Sequence, residues 1–282
     1  PNIYGDLMYV PMGLLYWADN SWLPLVAESW SFTNTGVAAA SATPDSSSAS
    51  PVADDDIANA DTLQVVLRQG VMWSDGNPVT AQDVKDTFDI LRLQSNTAWD
   101  YLDEVEILDD ATLNFYMKVP STVVERYVIR MSPRPSAIYG EWAQRARDLI
   151  ADGKTTDDPE WAQAIDQFNQ FRPEEIIASG PFTIDVPSIT NAEMTLVRNE
   201  SAWNADQVPF DSILNFNGQD DSINAIILSG DVDYATQSFT PAVEDELVNN
   251  GQRIIRPPVY TGPALLFNYG RYPQLMDKRV RQ

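Results

Sequence analysis

Hydrophobic and polar positions along this chain switch repeatedly between a two-residue and a helical period. Residues 62–67 (Thr-Leu-Gln-Val-Val-Leu) alternate in part and read as a strand. Val71, Met72 and Trp73 prolong the β-forming run. It ends in Ser74-Asp75-Gly76-Asn77-Pro78, where an Asp-Gly pair and a proline signal a tight turn. Thr80 stands three residues before Asp83, a helix-start signal in which the hydroxyl can accept the Asp83 amide. Behind it Val84, Phe88 and Leu91 recur at helical spacing, while Gln82, Lys85, Asp86 and Asp89 fill the other face. The pattern predicts strand, turn and capped helix; it implies no chemistry.

The rest of the chain reads the same way. Leu7, Met8, Val10, Met12, Leu14 and Leu15 predict an amphipathic helix interrupted near Pro11, and residues 24–32 a short run into a strand. Residues 37–59 are Ala, Ser, Pro and Asp with almost nothing bulky. Such a stretch cannot bury a core and is expected to be an inserted, solvated loop. Residues 105–108 and 112–117, separated by Asp109-Asp110-Ala111, predict a hairpin. Helices are expected over 121–131, 141–150, 159–171, 220–228 and 241–249, and strands over 182–184, 194–197, 212–216 and 253–256. Strands and helices mix without a regular βαβ repeat, which argues for α/β or α+β rather than a barrel.

Composition narrows the function classes. The 282 residues carry 41 acids against 18 bases, a formal net charge of −23. The only lysines are Lys85, Lys118, Lys154 and Lys278. Such a surface repels phosphate backbones and anionic headgroups, which argues against nucleic acid or a peripheral membrane surface as partner. A salty or acidic habitat is equally compatible with it. There is no cysteine, so no disulfide or thiolate chemistry is available. With no histidine either, the usual general base and the commonest metal ligand are both missing, and we expect no cofactor and no metal held by the protein itself. No run is long and apolar enough for a signal peptide or membrane span. Proline 1 stands in mid-pattern, so an upstream leader and first strand are expected, and membrane association only through that leader or a lipid anchor.

The wording of the 67–88 corner is distinctive. Leu67-Arg68, Gly70-Val71, Trp73, Asp75-Gly76, Pro78, Thr80-Ala81 and Asp83-Val84 resemble the LR-x-G-V-x-W/F-x-D-G-x-P-x-T-A-x-D-V segment of the family 5 extracellular solute-binding proteins. Pro24 and Ala27-Glu28-Ser29-Trp30 are similar to the family's P-x-L-A-E-S-W-E. Ser179-Gly180-Pro181-Phe182 resembles its T/S-G-P-Y/F corner, and 228–233 (Leu-Ser-Gly-Asp-Val-Asp) its L-x-S-G-E-I-D element. Phe267-Asn268 and 277–282 (Asp-Lys-Arg-Val-Arg-Gln) resemble its F-N…D-x-R-V-R ending. The matches keep the family's order over nearly the whole chain.

The resemblance implies an α/β, periplasmic-binding-protein-like fold of type II, in the cluster with an extra domain and truncated before most of the second lobe. Residues 1–51 and 178–262 would form a discontinuous first-lobe domain, 52–177 an inserted small domain, and 263–282 the crossover and start of the second lobe. The implied function is the solute-binding component of an ABC importer. It would act outside the cytoplasmic membrane, as a periplasmic protein or cell-surface lipoprotein, and deliver an oligopeptide or anionic metal chelate to the permease. With one wall of a two-lobed cleft, the chain alone is expected to hold ligand weakly.

Three residues are implied as ligand contacts: Tyr4 in Pro1-x-x-Tyr4, Trp99 in Ala98-Trp99, and Arg134 in Pro133-Arg134-Pro135, all similar to segments of nickel-type members. A guanidinium offers a planar fork to carboxylate, and aromatics give stiff apolar walls. Equally, Tyr4 and Trp99 are ordinary core aromatics and Arg134 pairs with a surface acid. The rival classes are a hydrolase using acid pairs such as Asp103/Glu104 or Glu174/Glu175, and a sensory or interaction module reusing the fold. No Gly-x-Ser-x-Gly elbow supports the first. Asp54-Asp55-Asp56 lacks the glycine and distal glutamate of a Ca²⁺ loop and reads as a solvated charge run.

Overall fold

The computed structural model describes residues 3–34, 60–217, 220–235, 239–256, 268 and 270–281. The whole low-complexity stretch (37–59), Phe267, Gln282 and the side chain of Tyr4 lie outside that description. The chain divides into two compact units, Pro1–Phe216 and Asn217–Gln282.

In the first unit all strand pairs are antiparallel. β1 (Gly13–Tyr16) and β2 (Ser21–Pro24) form a hairpin. β3 (Ala27–Thr33), β4 (Thr62–Leu67), β5 (Leu102–Ile107) and β6 (Thr112–Met117) form a four-stranded sheet in the order β3-β4-β6-β5. β7 (Phe182–Ile184), β8 (Glu193–Arg198) and β9 (Ser212–Phe216) form a separate three-stranded sheet. β3 pairs with β4 from Ala27↔Leu67 to Thr33↔Thr62, the two strands lying on either side of residue 52, where the resemblance implied a domain boundary. The strand around Trp30 therefore shares a sheet with residues 62–117, and Phe182 belongs to the other sheet.

The helices are α1 (Ile3–Met8), α2 (Ala81–Leu93), α3 (Ala98–Tyr101), α4 (Val123–Ile129), α5 (Ser136–Ala151) and α6 (Pro159–Gln170). α2 lays Val84, Phe88 and Leu91 against Leu63, Val65, Leu113 and Phe115 of the larger sheet, as the helical spacing required. Phe88 meets Phe115 edge-on at 4.9 Å, and removing either ring would cost about 3–5 kcal/mol. Its polar face departs from expectation. Asp86 and Asp89 are buried rather than solvated, because α5 packs over them and brings Arg147 to 2.8 and 2.6 Å of their carboxylates.

Two further expectations are corrected. Residues 7–15 do not continue as one interrupted helix. α1 closes with the Tyr9 amide on Gly5 O at 2.7 Å; Pro11 then has no amide to donate, and Met12 donates instead to Met131 O at 2.9 Å. The chain runs on into β1. Residues 253–256 form no strand, since Ile254 and Ile255 are adjacent rather than alternating and no ladder is present among the described residues.

The second unit carries α7 (Asp220–Ser229), α8 (Pro241–Asn249), a 3₁₀ turn (Pro273–Met276) and α9 (Lys278–Arg281). Among the described residues no helix is long and apolar enough to cross a membrane.

Candidate functional site

The site begins at the corner the sequence made conspicuous. Gly76 takes φ +86°, the left-handed conformation the turn demands, and Asp75 Oδ1 accepts the Asn77 amide at 2.9 Å. Thr80 and Asp83 form the expected capping box, with the Asp83 carboxylate accepting the Thr80 amide at 2.8 Å. That carboxylate is 5% exposed and does more than cap. Oδ2 also accepts Trp73 Nε1 at 3.2 Å, and Oδ1 accepts the Ser136 amide at 2.7 Å. One turn on, the Thr87 hydroxyl donates to Asp83 O at 2.6 Å and accepts the Arg134 amide at 2.7 Å. The first two turns of α2 thus clamp the Pro133-Arg134-Pro135 segment from both ends, where two prolines already limit its backbone.

A second conspicuous motif meets the first. Ser74 donates its amide to Ala178 O at 2.7 Å, and its hydroxyl accepts the Ala178 amide at 3.0 Å. Next in the chain, the Ser179 and Gly180 amides donate to Met8 O at 3.0 and 2.7 Å, and Ser179 Oγ accepts the Val10 amide at 3.2 Å. A Cβ on Gly180 would lie 2.3 Å from Leu7 O, so only glycine permits this approach. The end of α1 is thereby fixed between the two sheets, with Met8 packed on Phe182 and Leu196, and Val10 and Met12 in the main core.

Between these parts lies a cavity of about 550 Å³. Gly5 and Tyr9 close one side, Thr87 and Leu91 another, residues 130–134 the third, and Tyr139, Phe168 and Phe171 the last. The Arg134 guanidinium is 5.7 Å from the centres of both the Tyr139 and Phe168 rings. Among the described residues no carboxylate pairs with it and none lines the cavity. Burial pulls Arg134 below the ordinary guanidinium range, an effect opposed by the phenols of Tyr139 and Tyr9. Burial likewise pushes Tyr9 up to about 12, reinforced by Tyr139 and opposed by Arg134. A cation among rings, with its donors unspent on any acid, is suited to hold an anion.

Of the three candidates from sequence, Arg134 lies in the cavity. Tyr4 lies on α1, whose end contributes to the wall, but its side chain is outside the described residues. Trp99 is elsewhere: its indole donates to Phe88 O at 2.8 Å, Arg92 covers its ring at 4.6 Å, and it flanks the core. Tyr9, Tyr139 and Phe168 were missed. They come from the residue that follows α1 and from two helices far along the chain, and no local spacing announces their meeting. The acid pairs Asp103/Glu104 and Glu174/Glu175 are not part of the lining. No group of His, Cys, Asp or Glu that could hold a metal occurs among the described residues.

Corner, sheets and cavity together define the periplasmic-binding-protein class of fold. The chain belongs to the bacterial extracellular solute-binding proteins, family 5, whose family profile (described as its Middle part) matches residues 22–282. Solved structures agree on the fold. The mannohexaose-bound periplasmic oligopeptide-binding protein of an ABC transporter from Thermotoga maritima is 19% identical, with a TM-score of 0.58 over 87% of this chain and 38% of its own. The murein tripeptide-binding protein of Escherichia coli is 16% identical, with a TM-score of 0.58 over 88% of this chain and 43% of its own. The Bacillus subtilis oligopeptide-binding protein in complex with a nonapeptide is 15% identical, with a TM-score of 0.53 over 80% of this chain and 37% of its own. This chain thus spans about two fifths of the length of these structures. No curated protein matches it.

Proposed function

We propose that the chain serves as part of the receptor of an ABC importer, capturing a carboxylate-bearing solute, foremost a peptide, outside the cytoplasmic membrane for delivery to a permease. The observation that carries this is Arg134: a charged group held among aromatic rings at a cavity, with no acid paired to it among the described residues, in a member of a solute-binding family. Capture needs no bond making, only a guanidinium fork for carboxylate and apolar walls for the rest. The peptide reading is favoured over a metal chelate because solved structures of this fold include oligopeptide- and tripeptide-binding proteins. Trp99, one of three features suggesting a chelate, has its indole N–H engaged by Phe88 O. Location on the outer side of the membrane follows the family; a lipid anchor belongs to the proposal.

Titration calorimetry with tri-alanine at millimolar concentration tests it. Arg134→Ala should weaken binding by about 2–5 kcal/mol, the range for removing one partner of a partly buried charge pair. Unchanged affinity would reject Arg134 as the carboxylate contact.

A further inference from the structure

The cavity holds a second arginine that the Arg134 reading leaves unused. Arg130, the residue that caps α4, lines the same space. Its guanidinium rests 5.2 Å from the centre of the Trp17 ring, in the turn between β1 and β2. Arg126, one turn earlier, lies 5.5 Å from that ring and donates to Asn20 Oδ1 at 2.7 Å. Two cations thus converge on one indole that is itself 58% exposed. Among the described residues Arg126, Arg130 and Arg134 have no carboxylate within ion-pair distance. The adjacent acid, Glu125, is occupied by Trp30 Nε1 at 2.7 Å.

Three arginines within nine residues, none of them in an ion pair among the described residues, thus gather positive charge in a chain that carries 41 acids against 18 bases. Rings hold these cations in place without neutralising them, so their mutual repulsion stands until an anion enters. The surrounding negative surface makes this mouth the local place where an anion is drawn in rather than repelled.

We infer that Arg130 is a second anion contact and that the cavity selects solutes with two anionic groups, peptides carrying an acidic side chain beside the terminal carboxylate. One group meets Arg134 between Tyr139 and Phe168; the other meets Arg130 at the mouth, against Trp17. The inference rests on Arg134 being a carboxylate contact. The two arginines differ in role because they differ in exposure. Arg134 is half-buried and governs how slowly the solute leaves, whereas exposed Arg130 governs how fast it arrives and how strongly salt opposes arrival.

Ala-Ala-Ala and Ala-Ala-Glu, one carboxylate against two, decide it by calorimetry and stopped-flow tryptophan fluorescence at 20 and 300 mM salt. The chain should bind Ala-Ala-Glu about tenfold tighter at low salt, with the preference shrinking at high salt. Arg130→Gln should abolish the preference and flatten the salt dependence, with a much larger loss for Ala-Ala-Glu than for Ala-Ala-Ala, and Arg130→Lys should restore most of both. Arg134→Gln should weaken both peptides. Equal affinity of the unaltered chain for the two peptides, or equal loss of both in Arg130→Gln, overturns the role of Arg130 and leaves Arg134 standing. Binding of neither peptide overturns the reading of Arg134 and this inference with it.

Discussion

At the scale of single residues, the walls of the cavity are set by burial rather than by sequence neighbourhood. Tyr9 shows how far that reaches. Its phenol is raised from an ordinary 10.0 to about 12, mainly by burial, so the folded protein disfavours the phenolate. Such a group gives its full contribution below pH 10 and loses it as pH climbs through about 12. Urea unfolding at pH 8, 10 and 11.5 should show the unaltered protein losing up to roughly 2 kcal/mol more than Tyr9→Phe across that span. Parallel losses in both proteins would mean that Tyr9 is hydrated in the folded state. Arg134 was legible as a candidate because Pro133-Arg134-Pro135 resembles a segment of known family members. Its ring neighbours were not, since an aromatic destined for a cavity wall and one destined for the core look alike in sequence.

At the scale of elements, the corner at residues 67–88 is a brace. Asp83 takes hydrogen bonds from Trp73, Thr80 and Ser136, joining turn, helix and the loop bearing Arg134. Asp83→Asn should cost about 3 kcal/mol, since charge-assisted bonds are lost in a buried place. It should also weaken tri-alanine binding, although residue 83 does not line the cavity. Chemical denaturation checks the first effect and calorimetry the second; full stability in the variant would show that the brace is idle. Gly180→Ala and Gly76→Ala form a contrasting pair. The first drives a Cβ into Leu7 O at 2.3 Å and should cost about 2 kcal/mol or more. The second meets no atom within 4 Å, and only its φ of +86° resists, for about 1 kcal/mol. Denaturant midpoints in the reverse order would contradict the close approach of α1 to the 178–182 corner.

At the scale of the whole molecule, the net charge of −23 opposes compactness through self-repulsion. Raising potassium chloride from 0.01 to 1 M shortens the screening length from about 30 to 3 Å, so the melting temperature should rise by several degrees. Scanning calorimetry in chloride rather than sulfate keeps general salting-out small. A falling or flat melting temperature would show that local ion pairs, such as Arg147 with Asp86 and Asp89, outweigh the global term.

The sequence by itself determined most elements of the first unit, because a strand's period of two, a helix's period near 3.6, a capping Thr and a turn Gly each leave a local mark. It also determined the family, through short motifs whose residues touch one another along the chain. Only the tertiary structure decided what those motifs do together. Ser74 meets Ala178, Thr87 meets Arg134, and Asp86 and Asp89 are buried by an arginine some sixty residues away. Nor could composition reveal that β3 and β4 pair across the low-complexity stretch. Hydrogen bonds and burial between distant segments depend on where the chain returns, and a local pattern has no access to that; Gly5, Tyr9, Thr87, Leu91, Phe168 and Phe171 reach the cavity around Arg134 only by such returns.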